Sequence, residues 1–142
     1  MPSRWSRNRL TVRATLLGSV LCMASCDVFE TDTGPRSAAV RLEGTTGATV
    51  TLVSSTMFSV VRSEGNRGVS AQLIASDTTE VMLPYEQSFD IRQTRRVYVH
   101  LVDAETTAGT VHMIVWIDDQ KRYEITANPL EATMRFFYAF PG

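Results

Sequence analysis

From residue 39 onward the chain repeats one pattern, a short run of β-branched and aromatic residues followed by turn residues. Candidate strands fall at 39–43, 49–54, 57–61, 69–75, 79–83, 88–93, 96–103, 110–118, 122–127 and 132–139. Between them stand Gly44-Thr45-Thr46-Gly47, Glu64-Gly65-Asn66-Arg67-Gly68, Asp118-Asp119-Gln120 and Asn128-Pro129, all residues that favour turns. No window keeps apolar residues at helical spacing for more than two turns. Seven or more short strands at this spacing predict an all-β domain, a sandwich or a small barrel.

The alternation is clearest in 96–103 and 110–118, which read as a hairpin tipped by Ala104-Glu105-Thr106-Thr107-Ala108-Gly109. Symmetric closure sets Val97 opposite Val115, Val99 opposite Met113 and Leu101 opposite Val111. Alternate residues of a strand share a face, so this set is predicted to be core. The other face pairs Arg96 with Trp116, Tyr98 with Ile114 and His100 with His112. It is too apolar for a plain solvent face and too polar for a core. Either a second sheet or loop covers this face too, or Arg96, Tyr98, Ile114 and Trp116 form a docking patch, with Arg96 over the Trp116 indole; the polar groups on the face, costly to bury unpaired, favour the patch. In the last strand Met134, Phe136 and Tyr138 share one side, which predicts a strand stitched into the sheet.

Charge is distributed unevenly. Arg4, Arg7, Arg9 and Arg13 are the only charged residues before Cys26. They leave ten of the fourteen bases against all fifteen acids in the rest of the chain, about −5. That balance argues against nucleic-acid binding, which needs a basic surface to replace phosphate counterions. Behind the arginines comes the apolar run Ala14-Thr15-Leu16-Leu17-Gly18-Ser19-Val20-Leu21-Cys22-Met23. A membrane-spanning helix needs about twenty apolar residues, so the run suits a cleaved export signal over residues 1–25. Met23-Ala24-Ser25-Cys26 resembles the bacterial lipobox, which implies a lipid on Cys26 and anchoring in a membrane. Residues 26–38, rich in polar residues and broken by Gly34-Pro35, are expected to be a flexible tether, and residues 39–142 the folded domain. Cys22 would leave with the signal, so the mature chain has no second cysteine for a disulfide and no thiolate metal site.

Three short motifs carry a family resemblance. They are Val40-Arg41-Leu42-Glu43-Gly44 with Ala48-Thr49-Val50-Thr51-Leu52, Leu83-Pro84-Tyr85-Glu86, and Val115-Trp116-Ile117-Asp118-Asp119. Their order, from Val40 to about Phe136, resembles the mycobacterial membrane protein small family, accessory subunits of lipid-exporting transporters. The resemblance implies an Ig-like β-sandwich and a transporter partner. Tyr85 stands for the family's Trp, and Asp119 for its turn Gly. Met113 and Met134 stand near its two sheet-linking cysteines. The family's uncleaved membrane helix is replaced here by the lipobox.

Little in the sequence points to catalysis. The serines lie outside any Gly-x-Ser-x-Gly elbow, and Ser70 and Ser88 sit in plain strand contexts. Asp118-Asp119 reads as a turn, without the spacing of a Ca²⁺ loop. His100 and His112, the only two histidines, could face each other over a metal with Asp103 or Glu105 as a third ligand. Those acids do not share their face, and an ordinary cross-strand pair is the expectation. Arg92, Arg95 and Arg96 read as strand-edge charge that discourages sheet association. No enzyme activity, metal or cofactor is expected. The sequence points to an exported, membrane-anchored accessory module of the bacterial cell envelope, with an envelope protein as its partner, which the family resemblance implies is a transporter. The alternative is a carrier holding a lipid or small molecule between the sheets.

Overall fold

The computed structural model describes residues 33–62 and 68–141. The signal segment, Cys26 and most of the tether lie outside the described residues. Eight strands make up the domain: β1 (Ser37–Glu43), β2 (Thr49–Arg62), β3 (Val69–Met82), β4 (Tyr85–Asp90), β5 (Arg96–Ala104), β6 (Val111–Ile117), β7 (Gln120–Ala127) and β8 (Met134–Ala139). A short 3₁₀ turn at Thr106–Ala108 is the only helical piece among the described residues. The strands form two antiparallel four-stranded sheets, in the orders β4-β1-β6-β7 and β3-β2-β5-β8. The fold is the expected all-β sandwich.

Burial explains the layering. Val40 and Leu42 of β1, Val50 and Leu52 of β2, Val97, Val99 and Leu101 of β5, Val111, Met113, Val115 and Ile117 of β6, and Met134 of β8 all join one core. Each set occupies alternate positions of its strand, so each sheet gives one face to the interior. β8 is stitched in as expected: Met134, Phe136 and Tyr138 pair with Leu101, Val99 and Val97. Met113 and Met134, the residues that stand near the resembling family's cysteines, are fully buried on opposite sheets.

Several expected boundaries shift. The candidate strands 49–54 and 57–61 are one strand, as are 69–75 and 79–83, because polar residues within a long hairpin continue its ladder. The pairing of β2 with β3 slips between Ser54 and Phe58. There the Ser55 hydroxyl donates to Ala75 O at 2.5 Å and accepts from Met57 N at 2.9 Å. That hydroxyl supplies what an interrupted ladder leaves unpaired. β4 begins at Tyr85, three residues before the expected strand. The folded chain starts before residue 39: Gly34 and Pro35 are buried, and Arg36 O accepts from Ile91 N at 3.0 Å. The Gly-Pro pair thus docks on the domain and does not break a tether.

The predicted hairpin of 96–118 does not exist. β5 and β6 belong to different sheets. Only β2–β3 and β6–β7 join strands that pair with each other; the other connections cross between sheets. The alternation is right and the partnership is wrong. Val97, Val99 and Leu101 do share an interior with Val111, Met113 and Val115, but across the core and not along a ladder. The partners of β5 are β2 and β8, and those of β6 are β1 and β7.

Candidate functional site

Separating β5 from β6 splits the expected docking patch. Arg96, Tyr98 and His100 lie on the outer face of the second sheet. His112, Ile114 and Trp116 lie on the outer face of the first. These faces point away from each other, so the four patch residues form no common surface and the two histidines cannot share a metal.

On the second sheet, Tyr98 is buried. Past the irregularity at Ser55, β2 carries Phe58 onto Tyr98 and Phe137, with ring centroids 6.2 Å apart in both pairs. Phe58 is fully buried. Arg96 donates to Phe58 O and holds its guanidinium over the same ring. β5 is a central strand, so Arg96 is not edge charge; it fastens the long β2–β3 hairpin to the sheet. Of its basic neighbours, Arg92 pairs with Asp90 and Arg95 lies over Phe140. The Tyr98 hydroxyl meets His100 Nδ1 at 3.2 Å. Burial, with Arg135 nearby, pushes the His100 pKa down. This cluster is a satellite core.

On the first sheet, Trp116 stays partly exposed and its cation is Arg41 of β1. The guanidinium lies 5.3 Å from the ring centroid. Arg41 is fixed from its other side by Glu86 of β4, with Nε and Nη2 both 2.9 Å from Oε2. Ala39, Arg41, Glu86, Trp116 and Asp119 line a shallow groove of about 230 Å³. Ile114 beside it is nearly covered, at 9% exposure. Further along the face, His112 bridges two carboxylates, with Nε2 2.9 Å from Glu124 and Nδ1 3.4 Å from Glu43. Lys121 completes the row on Glu124, and Lys121 with His112 holds that carboxyl below its ordinary range. The two ring nitrogens point to different acids. No group of three metal-ligating side chains exists among the described residues.

The turn at the groove's end is built by Asp118 and Asp119, both at positive φ, 46° and 63°. The Asp118 carboxylate accepts from the backbone N–H groups of Arg36 and Ser37, each at 2.9 Å. It is a structural clasp on the start of β1, as a turn residue would be. Among the serines, Ser54 and Ser55 are buried, and the Ser55 hydroxyl is occupied by backbone groups.

Sequence reasoning found Trp116 but missed Arg41, Glu86 and Phe58. Arg41 and Glu86 alternate with inward residues, which marks them as outward-facing. No local signal reveals that β1 lies between β4 and β6. Against known proteins, no family model, no curated protein and no solved structure matches the chain.

Proposed function

We propose that this chain is a noncatalytic interaction module of the bacterial cell envelope, exported and held at a membrane by a lipid on Cys26. It docks on an envelope protein, a transporter assembly being the partner the family resemblance favours. The observation that carries this reading is the contrast between interior and surface. The side chains between the sheets, from Val40 and Leu42 to Val99 and Met113, are fully buried against one another. A carrier needs a cavity there, so the packed interior favours docking over carriage. Outside, Trp116 lies part-exposed under a guanidinium fixed in place, and Trp and Arg side chains of this kind dominate binding energy at protein interfaces. The anchor rests on the arginine-led apolar run and Ala24-Ser25-Cys26. No helix among the described residues is long and apolar enough to cross a membrane.

The anchor is tested by mass spectrometry of the mature N-terminus and by fractionation. Cys26 should carry acyl mass, and Cys26→Ser should release the domain from the membrane fraction. An unmodified Cys26 overturns the anchor. The docking face is tested by a photo-crosslinker placed at Ala39, at the groove rim. It should capture one envelope protein, and Trp116→Ala should abolish that capture. Capture that survives Trp116→Ala rules the groove out.

A further inference from the structure

Three of the four sheet edges are short and charged. β4 has six residues, including Glu86 and Asp90. β8 has six, including Arg135, and β7 has eight, including Lys121, Arg122 and Glu124. Short strands and charge are the usual devices that stop one sheet from pairing with another.

The fourth edge, β3, lacks them. It has 14 residues, about 47 Å at roughly 3.4 Å per residue. From Val69 to Met82 it contains no Lys, Arg or Pro, and its only charges are Asp77 and Glu80. Most of it is exposed, with Ile74 at 68%, Met82 at 64% and Val69 at 52%. Its one ladder among the described residues is with β2, so its other side presents a row of backbone donors and acceptors.

We propose that β3 is a dimerisation strand. Two copies of the chain pair β3 with β3, antiparallel, about a two-fold axis near Ala75, and the two sheets β3-β2-β5-β8 become one sheet of eight strands. The charge pattern suits a second copy paired antiparallel. Both acids lie in the C-terminal half of the strand. About an axis at Ala75, Asp77 of one copy faces Leu73 of the other, Glu80 faces Ser70, and Val81 faces Val69. Every acid meets an uncharged residue, whereas parallel pairing in register would set acid against acid and cost stability. The contact is isologous, so it consumes both β3 edges and closes at two copies. The charged edges elsewhere keep it from propagating. The inference stands independently of the membrane anchor and of the Trp116 groove.

The test uses the full-length chain in detergent with Cys22→Ser and Cys26→Ser, which removes the natural thiols and any lipid. Sedimentation equilibrium should give a dimer. Ala75→Cys should cross-link on mild oxidation, while Gln120→Cys on the β7 edge should not. Ile74→Lys puts like charges beside the axis and should weaken self-association by about tenfold or more, with the thermal melt of the monomer retained. Ser76→Lys, which also sets like charges diagonally across the axis, is the second variant, should Ile74→Lys fail to fold. A monomer at all concentrations overturns the proposal, as does a dimer that survives the folded lysine variant or cross-links equally through Gln120→Cys.

Discussion

The guanidinium of Arg41 lies over the indole of Trp116, 5.3 Å from its centroid, and joins β1 to its neighbour β6 on the outer face of one sheet. The side chain lost by truncation here is partly exposed, and the core behind it stays intact. Trp116→Ala should therefore cost about 1–2 kcal/mol, from the cation–π contact and partial burial. Phe58→Ala should cost about 3–5 kcal/mol, because that ring is fully buried. Denaturant melts of the two variants check the order. Equal losses would mean that Trp116 is a packing residue and not a binding one.

Ser55 holds the irregularity from which the long hairpin leaves the sandwich. Its hydroxyl serves Ala75 O and Met57 N. Ser55→Ala leaves both groups without that partner and should cost about 1–3 kcal/mol. Amide exchange should quicken in β2 beyond Met57 and in the facing half of β3, while β6 and β7 stay protected. Uniform quickening would mean that the hairpin has no separate stability.

The β6–β7 turn makes opposite predictions for adjacent residues. The backbone N–H groups of Arg36 and Ser37 hold the Asp118 carboxyl below its ordinary range. A lowered folded pKa gives stability that is present above the unfolded value, near 3.9, and lost as pH falls through the folded one. Asp118→Ala should cost about 1 kcal/mol at neutral pH, a figure kept small by solvent screening. The difference from wild type should shrink in acid to the part that alanine's strain at positive φ leaves. Asp119, at φ 63°, makes no comparable clasp. Asp119→Gly should stabilise the domain by about 0.5 kcal/mol, since glycine carries no penalty there. Melts at neutral and acid pH check both.

His100 gives the second pH dependence. Burial and then Arg135 lower its pKa in the folded state, so the unfolded chain binds the proton more readily. Stability that is full above the unfolded value, near 6.5, should decline as pH falls through it. His100→Gln should flatten the decline between about pH 7 and about pH 5. A slope unchanged by the substitution would mean that His100 titrates alike in both states.

By itself the sequence determined the all-β class and which face of β5, β6 and β8 turns inward. The positions Val97-Val99-Leu101, Val111-Met113-Val115 and Met134-Phe136-Tyr138 were legible because side chains alternate with period two and burial rewards one side. The Asp118-Asp119 turn was legible because those residues tolerate positive φ. What alternation cannot encode is the neighbour. Val99 and Met113 satisfy the same pattern whether their strands share a ladder or face each other across a core, since apolar contact has no direction and backbone groups are alike at every residue. Only the tertiary structure decided between them. It put β5 beside β2 and β8 and β6 beside β1 and β7, and so gave Trp116 to Arg41, gave Tyr98 to Phe58, and left β3 as an open edge.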